Sequence, residues 1–503
     1  LGAAVFGAVV VAVAVSIATG SARAFAHYGI SFVWSTTDSP GTGQYAAGIL
    51  VVGTIVTTGL AIILAAPVGL GAAVALSELV PRKIAAAAST AIELLAAVPS
   101  IVVGLWASLV LVPIFRTRVE PFLHSVPLLG SAFGGPDYGP SILLASTVLA
   151  VMILPTLVSL SRTALRAVPV ADREAALALG ATRWQVVRKV VWPSAGPGVA
   201  AAVTLAIGRA LGEAIAVAMV IGNQTLFPHS LAGEGATLGS AIVNQFAEAE
   251  PGLGTSSVIA LGAVLLVLTV AVNIAGQALR RAGRRPAAQA YAPAGLPAGG
   301  AVVDVGPSTG PAPTSVPGIT STSVRSSRAA SAMPPPPGLW GPSGLRVAPG
   351  QTLTRRRVTG GVAKSLCGLC LLGSAVPLVA LVVYTISRAA PALSFGLLVH
   401  PVVPAFMTGG GIGTAIAGSA RVVALALLLS APIGLLAALY LYERTGRLAA
   451  ALRFSADVLS GVPSILIGIF AYELVVVPMH GASVLAAGTA LAVLMLPIMV
   501  RVN

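Results

Sequence analysis

The stretch Asp172-Arg173-Glu174-Ala175-Ala176-Leu177-Ala178-Leu179-Gly180-Ala181-Thr182-Arg183-Trp184-Gln185, closing on Trp192-Pro193, is a basic loop between two apolar runs. Crossing a bilayer requires no such loop. Its spacing predicts two short helices joined by a turn. Asp172 is placed to cap the first helix. Gly180 stands where a left-handed residue ends it, because glycine has no Cβ to clash there. Thr182 followed by Gln185 forms a capping box for the second helix, and Pro193 marks its end. The expected product is a helical knob on the membrane face, shaped to enter a groove on a partner.

The composition around this loop belongs to a membrane protein. The chain is 56% hydrophobic and 9% charged, with mean hydropathy +0.95, too apolar for a soluble globule of 503 residues. No Asp, Glu, Lys or Arg lies between Asp38 and Glu78, between Glu250 and Arg280, or between Lys364 and Arg388. About 20 apolar residues cross the hydrocarbon core as a helix. The candidate spans are 1–21, 47–77, 86–113, 140–161, 197–222, 255–279, 364–387, 412–442, 456–477 and 482–500. The 47–77 and 412–442 runs exceed one crossing and imply tilt or interfacial turns. Run length and lack of alternation exclude barrel strands. The predicted fold class is all-α: a polytopic membrane protein with about ten transmembrane helices.

Lys and Arg set the orientation. With the first span starting in the cytoplasm, inside loops hold 23 of the 29 Lys and Arg, outside loops hold 4, and Arg209 and Arg421 fall within spans. That asymmetry follows the positive-inside rule and accounts for most of the net charge of +14. Nucleic-acid binding would need a basic face on a folded soluble domain, and none is present.

The chain repeats itself. Ala66-Pro67-Val68-Gly69-Leu70 through Glu78 matches Ala431-Pro432-Ile433-Gly434-Leu435 through Glu443, Val98-Pro99-Ser100-Ile101 matches Val462-Pro463-Ser464-Ile465, and Leu154-Pro155 matches Leu496-Pro497. Matching spans lie six crossings apart, so the two copies cross in the same direction, unlike the inverted repeats of many secondary transporters. Residues 1–280 read as a six-helix membrane domain. Residues 281–360, rich in Pro, Gly, Ser and Ala, read as a disordered cytoplasmic linker. Residues 361–503 read as the first four helices of a second such domain. In the first copy Glu174 follows Pro155 by 19 residues, so the second copy's equivalent loop falls beyond Asn503, and a truncated fusion is expected.

Within the spans ionisable residues are few. Arg209 and Glu213 are four apart in Gly208-Arg209-Ala210-Leu211-Gly212-Glu213, where one helix face would let them pair. Either charge alone in a bilayer costs roughly 3 kcal/mol or more, so the pair reads as part of a translocation path rather than as packing. Arginine offers a planar fork of donors suited to an oxyanion. Ser100 and Ser464 sit beside helix-breaking prolines whose freed backbone groups can line a cavity. Glu93 and Asp457 occupy equivalent repeat positions; they read either as a gate or bond to the basic loop around Glu174, or as solvated helix ends. Arg421 and Glu473 are a weak candidate pair across helices. Cys367 and Cys370 form CxxC inside an apolar span with no second Cys/His cluster, which reads as small-residue packing; His27, His124, His229, His400 and His480 are scattered, so no metal site is expected.

The loop resembles the EAA motif of ABC-importer permeases, with Val190 at the aliphatic position and Trp192 in place of the usual Leu before Pro193. The Arg-Ala-Leu-Gly-Glu-Ala helix and the two Pro-Ser-Ile turns resemble phosphate-specific transport (Pst) permeases, the first half the PstC type and the second the PstA type. The resemblance implies a type I ABC-importer permease fold in a bacterial plasma membrane, carrying inorganic phosphate. It implies an extracytoplasmic phosphate-binding protein as donor and a cytoplasmic ABC ATPase dimer, using ATP and Mg, docked through Glu174, Ala175, Ala176, Gly180 and Pro193. The chain has no Gly-rich phosphate loop with Lys-Ser/Thr, so no cofactor is expected on it. The alternatives are a permease for another oxyanion such as sulfate or molybdate, an ATP-independent secondary anion transporter, or a membrane scaffold that transports nothing.

Overall fold

Two helices at the centre of the first half show how small residues set the packing. In the computed structural model, which describes residues 2–126, 133–134, 138–225, 230–283, 353–404, 409–459 and 462–501, α2 (Gly48–Val74) lies along α5 (Ile142–Arg166). A Cβ on Gly69 would sit 2.7 Å from Leu157 Cδ2, so the glycine is what lets the helices approach. In the second half α12 (Gly413–Glu443) lies along α15 (Val484–Arg501) in the same way, and a Cβ on Gly434 would sit 2.7 Å from Met499 Cβ. Gly69 with Leu157 and Gly434 with Met499 are equivalent positions of the sequence repeat, so the repeat is also a repeat of contacts.

The remaining helices of the first half are α1 (Gly2–Tyr28), α3 (Arg82–Ala97), α4 (Ser100–Ser125), α6 (Val170–Ala178), α7 (Arg183–Gly212), α8 (Ile215–Ala218), α9 (Leu238–Gln245) and α10 (Leu253–Gly283). The second half adds α11 (Leu353–Ala389), α13 (Arg447–Leu459) and α14 (Ser464–Met479). Among the described residues eight helices are long and apolar enough to cross a membrane, and α14 and α15 are shorter apolar helices. The fold class is all-α and multi-pass. The linker expected over 281–360 lies for the most part outside the described residues, and its last residues are helical from Leu353.

Prolines shape these helices more than the apolar pattern foretold. Widened π turns occupy Ala75–Leu79, Ala107–Leu111, Phe115–Val119, Val187–Val191 and Tyr472–Val476. Each begins six residues and ends two residues before a proline: Pro81, Pro113, Pro121, Pro193 and Pro478. Proline has no N–H to donate, and its ring collides with the carbonyl four residues back, so the preceding turn opens. The predicted spans 86–113 and 456–477 are each broken, at Pro99 and Pro463, into a helix rich in charge (α3, α13) and an apolar one (α4, α14). In both, proline supplies an extended N-cap residue for the apolar helix that follows.

The first helix of each half reaches the other half, and α1 also stays on α10 of its own half, where Ser256 Oγ accepts from the Ala24 N–H at 3.0 Å. α1 packs on α12, where a Cβ on Gly2 would strike Leu436, and the Ser16 hydroxyl donates to Glu473 Oε2 of α14 at 2.8 Å. α11 lies on the first half: a Cβ on Gly71 would lie 2.6 Å from Cys370 Sγ, and Cys367 and Leu381 are buried there. Each half thus packs its leading helix against the other, and the halves share one apolar cluster that runs from Phe6 and Ile17 to Leu466 and Phe470. Glu473 is therefore held by Ser16, and Arg421 forms no ion pair with it.

Candidate functional site

The loop around Glu174 folds as a short helix, a left-handed turn and a long helix. α6 ends in a Schellman motif: Gly180, at φ +81°, donates its N–H to Leu177 O (2.9 Å), and Ala181 donates to Ala176 O (3.1 Å). Thr182 then opens α7 through the capping box, its N–H donating to Gln185 Oε1 at 2.9 Å and its Oγ1 accepting from the Gln185 N–H at 3.4 Å. Two expectations give way. Pro169, not Asp172, occupies the N-cap of α6; Asp172 sits within the first turn, where its charge favours the helix dipole. Pro193 does not end the second helix. The π turn at Val187–Val191 absorbs its missing donor, and α7 continues into the apolar span to Gly212.

Burial divides the motif. Ala176 is buried against Val186, Val187 and Val191, while Glu174, Ala175 and Gly180 face outward. Val170, Leu177 and Leu179 are about half exposed or more. Val170, Glu174 and Leu177 are four and three apart, which places them on one face of α6. The knob therefore presents a carboxylate among aliphatic side chains, outside the apolar spans. Such a patch on a loop marks an interaction surface.

One residue the sequence reading passed over holds this knob in place. Arg173 donates to Glu78 Oε1 (3.1 Å), to Val168 O (2.8 Å) and to Leu165 O (2.7 Å). Glu78 lies in the π turn that follows α2, and Leu165 at the end of α5. Both side chains of the ion pair are largely buried. The guanidinium fork thus ties the start of α6 to both central helices. Arg166 donates to Leu76 O at 3.5 Å, and Arg162 donates to Ser89 of α3. Glu93 lines a small cleft with Ser89 and Arg162, and Asp457 lies on α13.

The charged motif lies where α7 breaks. α7 ends at Gly212, and Glu213 is extended (φ −77°, ψ 120°), so Arg209 and Glu213 do not share a helix face and form no direct ion pair. Gly208 and Gly212 bracket the arginine, glycine is the weakest helix former after proline, and the chain turns where Gly212 meets the second half. Arg209 is exposed on the last turn, and Glu213 is half-buried. Gly212 faces the Pro463 turn of the second half, since a Cβ there would lie 3.6 Å from Pro463 Cα. α8 resumes at Ile215 and packs on α4, where a Cβ on Gly104 would meet Ala216 Cα at 3.0 Å. Ser464 directly follows Pro463 at the start of α14, and Ser100 begins α4; neither serine side chain is hydrogen-bonded among the described residues. The structure thus brings the Arg209–Glu213 break against the second half's Pro-Ser-Ile turn and against the helix that the first half's turn begins.

A multi-pass helical membrane protein whose two parts repeat one another, with an outward-facing knob on the first, is the class these features define. The sequence of the first half narrows it. Residues 65–285 match the family described as binding-protein-dependent transport system inner membrane component. The chain is 39% identical over 261 residues to the phosphate transport system permease protein PstC of Mesorhizobium japonicum, covering 51% of this chain and 80% of the relative. It is 39% identical over 265 residues to the same-named protein of Pasteurella multocida, covering 52% and 82%. It is 36% identical over 262 residues to the phosphate transport system permease protein PstC 1 of Mycobacterium tuberculosis, covering 50% and 78%. A chain of the inward-facing MetNI methionine ABC transporter aligns at 23% identity and TM-score 0.33, over 46% of this chain and 92% of that one. The chain belongs to the inner-membrane permeases of ABC importers, with a first half of the PstC type.

Proposed function

We propose that this chain forms the translocation path of an ATP-driven importer of inorganic phosphate and couples to a separate ATPase through α6. The observation that carries the coupling reading is the outward face of Val170, Glu174, Ala175 and Leu177 on a knob latched by Arg173 to α2 and α5. A push on that face is transmitted through the guanidinium to the cytoplasmic ends of both central helices. Those helices form the centre of the first half, so the halves can rock about their shared apolar cluster. ATP and Mg act on the partner ATPase dimer. An extracytoplasmic phosphate-binding protein delivers the anion, and 361–503 serves as a PstA-type half.

The phosphate assignment draws support from the names of the relatives and from Arg209. Its guanidinium stands at a helix break beside the turn of the other half, where several donors can converge on an oxyanion. Glu213 lies close enough in sequence to temper that charge, so the anion is passed on. Ser100 and Ser464 line the same crossing point. Arg209→Ala should abolish ATP-dependent phosphate uptake into proteoliposomes while membrane insertion is retained; normal uptake removes the assignment. Competition by sulfate or molybdate at equal concentration to phosphate would redirect the substrate reading. Glu174→Arg should weaken co-purification of the ATPase, and unchanged co-purification counts against docking through this face.

A further inference from the structure

Beside the coupling knob lies a cavity of about 380 Å³, lined by Leu70, Gly71 and Val74 of α2, by Trp184, Val187, Arg188 and Trp192 of α7, and by Cys367 of α11. Its volume lies within the roughly 300–1,000 Å³ of small-molecule sites. The walls are aliphatic, aromatic and thiol, and the polar exception is Arg188. Trp184, Arg188 and Trp192 follow one another at intervals of four, so one side of the helix sets a cation between two indoles. Arg188 is exposed and forms no ion pair among the described residues, and the same holds for its neighbours Arg183 and Lys189. The level in the membrane is fixed by sequence: α2 gives way to Arg82 and Lys83 just beyond Val74, and α7 passes here from a basic segment into the apolar span. Tryptophan and arginine at that level form the interfacial belt of membrane proteins.

We infer that this cavity is a binding site for an anionic glycerophospholipid of the cytoplasmic leaflet, one acyl chain lying along Leu70, Val74 and Cys367 and the phosphate held by Arg188 between the two indoles. Lipid is the occupant because the cavity is apolar, opens at the membrane interface and carries an unneutralised cation at its rim. An acyl chain alone would not call for the cation, and a soluble anion would not call for the apolar walls. The site joins three elements of different origin: the helix that leaves the coupling turn, the central helix of the first half, and the leading helix of the second. A bound lipid therefore contributes packing at the seam where α11 of the second half lies on the first, next to the knob. The inference rests on the membrane orientation and not on ATPase docking.

The test uses the full chain in nanodiscs, with Trp34, Trp106 and Trp340 replaced by Phe so that Trp184 and Trp192 report. Brominated-acyl phosphatidylglycerol is compared with brominated-acyl phosphatidylcholine as quencher. The expected result is half-maximal quenching at about fivefold lower mole fraction of phosphatidylglycerol, the preference one surface arginine confers. Arg188→Gln should remove the preference while both lipids still quench, with helical content by circular dichroism unchanged. Equal quenching by the two lipids in the unmodified chain would overturn the headgroup assignment. Absence of quenching by either would show that protein covers the cavity and would overturn the site. ATPase co-purification with Glu174→Arg reads the coupling proposal separately, so the two can fail independently.

Discussion

Removing the Arg173 fork offers the sharpest test of how the knob is held. Arg173→Met keeps most of the aliphatic length and deletes three contacts: to Glu78 Oε1, Val168 O and Leu165 O. A hydrogen bond with a charged partner contributes about 1.5–3 kcal/mol where the partner is left stranded. Exposed ion pairs contribute about 0–1 kcal/mol, and breaking buried ones costs about 3–5 kcal/mol. The pair here is 16% and 14% exposed, so water recovers part of the loss at Glu78 and at the two carbonyls. A net cost of about 2–4 kcal/mol to the docked state of α6 follows. That corresponds to amide exchange about 30- to 1,000-fold faster across 170–182, because exchange reports local opening. Glu78→Gln, which keeps the shape and both carbonyl contacts, should cost about 1 kcal/mol. Hydrogen-exchange mass spectrometry on the detergent-solubilised chain reads both variants. Protection of 170–182 unchanged within a factor of about two in Arg173→Met would refute the latch, since a strut of this kind cannot be lost silently.

Asp38 lies in the loop between the first two spans, buried, accepting from the Ala46 N–H at 3.2 Å and from Gln245 Nε2 at 3.1 Å. Burial raises its pKa above 3.8, and the two hydrogen bonds only partly offset this. The folded state therefore holds the proton longer than the unfolded one. The contribution of Asp38 is fully present below pH 3.8 and is lost as pH rises through the raised value. Asp38→Asn should flatten thermal stability over that interval and leave it equal or higher at pH 7, where Gln245 can turn its amide to match. The repeat contact makes a second comparison. Gly69→Ala meets the terminal methyl of Leu157, which can rotate away, whereas Gly434→Ala meets Met499 Cβ, fixed to its backbone. The second substitution should lower stability more, by about 1–3 kcal/mol against a smaller loss for the first; the reverse order would show that the halves do not pack alike.

Much of this architecture is legible in composition and punctuation. Apolar runs bounded by basic residues gave the spans, because a helix in lipid has little other choice. The Thr182–Gln185 box and Gly180 were readable because capping is a local matter of three or four residues. What escaped was set at longer range. The Arg209–Glu213 spacing suits one helix face, yet the helix ends between them, since two glycines and the neighbouring Pro463 turn act where four-residue spacing alone is silent. The Arg173–Glu78 latch joins residues 95 apart, and neither carries a motif that names the other. The reach of α1 and α11 onto the opposite half leaves no periodic trace, because lipid-facing and helix-facing apolar residues look alike in a membrane. The π turns, in contrast, follow a rule visible in the sequence once seen: each precedes a proline by the same interval.

Sidedness of the knob decides between this account and its rivals. With Cys367 and Cys370 replaced by Ser, Ala181→Cys is treated with a membrane-impermeant maleimide in intact cells and in inside-out vesicles. Modification in the vesicles alone, slowed when the ATPase is supplied, is the predicted result. Modification in intact cells would place α6 outside and contradict the proposed coupling of this permease to a cytoplasmic motor.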